Sequence, residues 1–99
     1  MLTVRREAEG DIKKAFDWYE EQRSGLGEEF LVQIEAVFGR IEDDPELYES
    51  VFKRVRRALI RRFPYSVYFL LESGNPVVIA VLHQRRSPVR WRERTPGKP

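Results

Sequence analysis

The sequence predicts an α+β fold of order β-α-α-β-β-β, with a helical hairpin packed on a mainly antiparallel twisted sheet. Apolar residues recur at helical spacing in two successive stretches of the first half. A short glycine-containing connection between them makes the two helices antiparallel neighbours. The second half holds two dense runs of β-branched and aromatic residues around a turn signal. Ninety-nine residues leave room for a single domain over 1–99.

Each element follows in turn. Residues 2–5 form a short strand. From Glu7, apolar positions fall at Ala8, Ile12, Ala15, Phe16 and Tyr19, giving a helix over about 7–23. Glu7, Glu9 and Asp11 sit at its start, where acids favour the positive end of the helix dipole. Ser24-Gly25-Leu26-Gly27 stops it. Leu26, Phe30, Ile34, Val37, Phe38 and Ile41 set the period of a second helix over about 26–43, which ends before Pro45. A strand is expected near 53–60, and the wider stretch Phe52–Phe63 reads as one strand or two short ones. Strands at 65–72 and 76–84 are the clearest. With Gly74-Asn75 as a type II′ turn, Tyr68 faces Val81, Phe69 faces Ala80, Leu70 faces Ile79 and Ser66 faces His83. That register turns Tyr65, Val67, Phe69, Leu71, Val78, Ala80 and Leu82 toward the helices. It turns Tyr68, Leu70, Val77, Ile79, Val81 and His83 outward.

The outward face is mixed, with an apolar centre that no element of this short chain remains to cover, which marks an interaction site. The competing reading is that the tail from Pro88 folds back and lays Val89 and Trp91 on it. The tail is strongly basic and proline-terminated, which favours an open face.

Composition narrows the function. The lack of cysteine excludes disulfides, a Cys-ligated zinc site and thiol chemistry, the single histidine argues against an all-protein transition-metal site, and no cofactor is expected. The longest apolar run, Val77 to Leu82, is far short of a membrane span and no signal peptide is read, so a soluble, cytoplasmic chain is expected. Charge is divided: residues 1–50 hold 14 acids against 6 bases, and residues 51–99 hold 2 acids against 12 bases. Fourteen of the 18 bases are arginine, suited to bidentate contacts with phosphate or carboxylate. The basic half suits an anionic partner; solvation of the sheet and pairing with the acidic helices is the plainer account. His83, beside Arg85 and Arg86, has the chemistry of a general base for RNA phosphodiester cleavage, but no second acid–base group is close in sequence. A structural role at the strand end is preferred for it.

The chain resembles toxins of the bacterial RelE/ParE superfamily from type II toxin–antitoxin and plasmid-stabilisation modules, and is closest to the ParE-like branch. The matching stretches run in family order. They are Gly25-Leu26-Gly27-Glu28-Glu29-Phe30, Ile41 to Pro45, Arg56-Arg57-Ala58-Leu59, Arg62-Phe63-Pro64-Tyr65-Ser66-Val67-Tyr68, Ala80 to Pro88, and Trp91. The resemblance implies the same fold and a cognate antitoxin whose C-terminal segment wraps the toxin, in heterotetramers or larger assemblies. On the outward face its contacts would be Tyr68, Leu70, Ile79 and Val81.

ParE-like members resemble inhibitors of DNA gyrase without a catalytic set. That reading makes His83, Arg85, Arg86 and Trp91 the target-binding residues. RelE-like members resemble metal-independent endonucleases acting on ribosome-bound messenger RNA. In that alternative His83 is the base and Arg61, Arg62 and Arg86 stabilise charge. The chain departs from the RelE-like pattern in its few lysines and in lacking a C-terminal tyrosine, with Trp91 near that position. A degenerate, non-toxic binding module of the same fold is the third reading.

Overall fold

The computed structural model describes residues 1–85 and 89–94, excepting the side chains of Val89 and Arg90. The order is β1 (Thr3–Val4), α1 (Arg6–Gln22), α2 (Leu26–Asp43), a 3₁₀ turn (Pro45–Leu47), β2 (Ser50–Phe52), β3 (Val55–Leu59), β4 (Tyr65–Glu72), β5 (Asn75–His83) and α3 (Val89–Glu93). The sheet runs β1-β5-β4-β3-β2. β1 lies parallel to β5 and every other pair is antiparallel. The expected α+β architecture is present, with three additions: β2, the 3₁₀ turn and α3.

The helices bury one stripe each. Ala8, Ala15 and Tyr19 of α1, and Phe30, Ile34, Val37 and Ile41 of α2, meet Ala58, Val67, Phe69, Val78 and Val81 of the sheet. Tyr19, Phe30 and Phe63 close one end, with ring centroids 4.9–5.4 Å apart in tilted and edge-to-face contacts worth more than their area alone. The hairpin depends on two glycines. Gly25 has φ 91° at the start of α2, a conformation most side chains resist, and its N–H donates to Glu20 Oε1 at 2.8 Å. At Gly27 a Cβ would lie 2.7 Å from Glu20 Cγ and 2.8 Å from the Phe16 ring, so the helices approach as closely as they do only because no Cβ is there. Gly27→Val is expected to destabilise the fold by about 1–3 kcal/mol through overpacking, measurable by urea denaturation.

The strand expected near 53–60 is β3, Val55–Leu59, and a further strand, β2, precedes it at Ser50–Phe52. Phe52 pairs with Val55 across a loop made of Lys53 and Arg54, and Lys53 has φ 51°. Nothing in the residue types announces that turn, because lysine is not a left-handed former.

The β4–β5 register also differs. The turn residues are Ser73 and Gly74, with φ 51° and 81°, so Glu72 pairs with Asn75. Positive φ at both positions is a type I′ signature, and it replaces the expected type II′ turn at Gly74-Asn75. The pairing slips by two residues near the turn, Phe69 facing Val78, which leaves each residue on its expected face. A bulge then intervenes: Phe69 faces Val78 but Tyr68 faces Ala80, so Ile79 is the extra residue. Beyond it the faces exchange. Val81 packs on the helix side, while Ala80 and Leu82 join the opposite cluster, correcting the expected placement of all three.

Candidate functional site

The outer face of the sheet is covered. Trp91 of α3 stacks on Tyr68 with centroids 4.8 Å apart and planes 14° from parallel, and it meets Phe52 edge-on at 5.7 Å. Tyr68, Leu70, Val77, Ile79, Ala80 and Leu82 are buried beneath it with Val55. Trp91 itself is only 6% exposed. The open apolar patch is therefore corrected to a second small core closed by the returning tail. Of the residues assigned to an antitoxin, Tyr68, Leu70 and Ile79 lie in this core and Val81 lies on the other face. Trp91, assigned to a target, points inward.

An ion pair anchors the tail. Arg94 Nη1 donates to Asp11 Oδ2 at 2.7 Å and to the Ile79 carbonyl at 3.0 Å, and Nη2 reaches Asp11 Oδ1 at 3.3 Å. Asp11 Oδ2 also accepts the Val81 N–H at 3.0 Å. β1 pairs with β5 only at Val77 and Val78, so the Ile79 carbonyl and Val81 N–H lie where that edge is otherwise open. Asp11 and Arg94 satisfy both. In the sequence Asp11 reads only as a helix-dipole residue and nothing marks Arg94, because their separation of 83 positions leaves no local signal.

His83 ends β5. Its cross-strand partner is Tyr65, whose ring it meets edge-on at 5.3 Å, and its Nδ1 accepts the Arg85 N–H at 3.1 Å. The bulge places it on the α1 side, correcting the expectation that it shares a face with Tyr68. There it borders a groove of about 600 Å³ with Asp11, Lys14, Trp18, Tyr19 and Tyr65. Burial, and secondarily the neighbouring Tyr65, pushes the Tyr19 hydroxyl above its ordinary value of 10.0. A raised value means that folding favours the neutral phenol. That contribution is complete below about pH 10 and is lost as the pH rises through the folded value. Thermal melts should show a stability loss above pH 10 that Tyr19→Phe reduces.

Two arginines of the nuclease alternative, Arg61 and Arg62, are not among the residues bordering this groove. Arg62, at φ 70°, pairs with Glu29 of α2 at 3.1 Å. Arg61 borders a separate groove with Arg40 and Arg57, and this groove shares no residue with the one beside His83. Arg85 is exposed just after β5, and Arg86 lies outside the described residues. Among the described residues, no group of three or more His, Cys, Asp or Glu side chains could hold a metal, and no helix is long and apolar enough to cross a membrane.

Comparison with known proteins adds to this geometry. The family model for the ParE toxin of type II toxin–antitoxin systems, parDE, matches residues 2–88. Among solved structures, one described as the chromosomal ParDE TA system from P. aeruginosa is similar over 83% of this chain and 92% of its own, with TM-score 0.75 and 16% identity. At that identity the likeness is one of fold. No curated protein matches in sequence.

Proposed function

The chain belongs to the ParE toxin family of type II toxin–antitoxin systems, and from that premise we propose that it acts in the cytoplasm as a single-domain inhibitor of DNA gyrase, neutralised by a cognate antitoxin in a heterotetramer. The observation that carries this reading is that His83 and Arg61 border different grooves, while Arg62 is paired with Glu29. Phosphodiester cleavage needs a base and cations converging on one phosphate. Here the one carboxylate bordering the His83 groove among the described residues, Asp11, is committed to Arg94 and the Val81 N–H. His83 Nδ1 is committed to the Arg85 N–H. This arrangement supports inhibition by binding, with Arg85 and Arg86 contacting the target and His83 supporting the Arg85 turn. It favours no turnover chemistry.

Neutralisation follows from the covered face. The antitoxin segment reaches Tyr68, Leu70 and Ile79 by taking the place of Trp91, a steric consequence of their burial beneath it.

Growth arrest on induction tests the target-binding assignment. His83→Gln should leave arrest largely intact and cost no more than about 1 kcal/mol of stability. Arg85→Glu combined with Arg86→Glu should weaken arrest much more, by opposing the anionic target. Arrest abolished by His83→Gln alone, in a chain that still folds, would transfer the protein to the nuclease class, where losing a general base lowers cleavage ~10²–10⁴-fold.

A further inference from the structure

The groove between α1 and the end of β5 has the makeup of a ligand site. It holds about 600 Å³, within the ~300–1,000 Å³ range of small-molecule clefts. Trp18, Tyr19 and Tyr65 line it, with Ala15 and Val81 supplying apolar surface. Trp18 is 54% exposed, the one aromatic among the exposed large hydrophobic side chains of the described residues. Tryptophan is normally well buried, so an open indole at the mouth of a cleft calls for an occupant.

The polar groups at the groove favour an anion. Lys14 borders it from the helix and His83 from the sheet. Lys13 has Asp17 as its ion-pair partner, whereas Lys14 has no carboxylate within ion-pair distance among the described residues. His83 Nδ1 accepts the Arg85 N–H, which puts the proton of the neutral ring on Nε2, a donor without a partner among the described residues. Asp11 also borders the groove, but Arg94 engages both of its oxygens and neutralises it.

We propose that this groove binds a mononucleotide unit, with its base stacked on Trp18 and its phosphate held by Lys14 and His83. An aromatic face accepts any base, because every base has a π-face. Two point donors on different elements suit a phosphate with several acceptor oxygens; a planar carboxylate is better matched by a guanidinium fork. A free nucleotide and one residue of a single strand carry the same chemistry.

The probe is adenosine 5′-monophosphate, titrated against the full chain by isothermal calorimetry. Saturable binding is expected. Adenosine and inorganic phosphate should each bind about tenfold or more weakly, since each lacks one of the two contacts. Trp18→Ala and Lys14→Glu should each weaken the mononucleotide by a similar factor, while Trp18→Phe retains most of the binding by keeping an aromatic face. Reversing an exposed base at the other groove, Arg40→Glu, should leave it unchanged. Lys14 and Trp18 are on the surface, and circular dichroism melts check that each variant folds. A short single-stranded oligonucleotide separates the two sources. Tighter Trp18-dependent binding than the mononucleotide assigns the groove to a base within a strand, and equal or weaker binding assigns it to the free nucleotide. No saturable binding of the mononucleotide to the folded wild-type chain overturns the proposal. So does binding that ignores Trp18→Ala or Lys14→Glu, or that adenosine or phosphate alone matches. Tighter Trp18-dependent binding of the dipeptide phenylalanyl-glutamate also overturns it, by giving the groove to a protein side chain.

Discussion

Trp91→Ala is expected to lower unfolding stability by about 3–5 kcal/mol, the range for removing a buried tryptophan. The residue is large, and its ring closes a whole core. It stacks on Tyr68 and meets Phe52, while the Arg92 guanidinium lies 4.5 Å from the Phe52 centroid on the outer side. Without the indole, Tyr68, Leu70 and Ile79 would regain water contact together. Urea denaturation measures the loss. Antitoxin binding measured on the same variant has an opposite expected sign: if the antitoxin displaces Trp91, removing it spares that cost, and affinity should rise. A variant that loses both stability and antitoxin affinity would mean that Trp91 belongs to the antitoxin contact itself.

Asp11→Ala should cost about 3 kcal/mol or more, because it strands the partly buried Arg94 guanidinium and leaves the Val81 N–H without its acceptor. Few helix-surface acids carry that much. Asp11 differs because one carboxylate joins α1, the open part of the β5 edge and the tail. Asp11→Asn separates the contributions: it retains an acceptor for Val81 but gives up the charge, so it should cost less than alanine. Arg94→Met, which removes the tail's side of the pair while leaving Val81 satisfied, should fall between wild type and Asp11→Ala. If Asp11→Ala melts like wild type, the tail is not anchored through this pair.

How much of this was legible depends on whether the deciding interaction was local. Phe30, Ile34, Val37 and Ile41 repeat at helical spacing, so α2 and its buried stripe could be read directly. The glycines at 25 and 27 signalled the hairpin for the same reason. The β5 bulge could not be read, because Val77 to Leu82 is apolar throughout and a one-residue slip alters no hydrophobic pattern. That one bulge moved Val81 and His83 to the helix side, and with them the expected grouping of His83 with Tyr68. The Ser73-Gly74 turn was hidden by Gly74-Asn75, whose residue types fit a common turn one position later. The tail was ambiguous on composition: its arginines favoured an open, charged segment, whereas Trp91 and Arg94 fix it by contacts made across the sheet and to α1. Family identity was legible because ordered motifs survive such errors of register.

The central claim, that the chain acts by binding gyrase, is tested most directly by plasmid supercoiling with purified gyrase and increasing amounts of the purified chain. The account predicts that supercoiling falls as the chain is added, that the antitoxin restores it, and that ribosome-bound messenger RNA incubated with the same preparation stays intact. Full supercoiling at a large excess of folded chain, with messenger RNA cut in the parallel reaction, would contradict it.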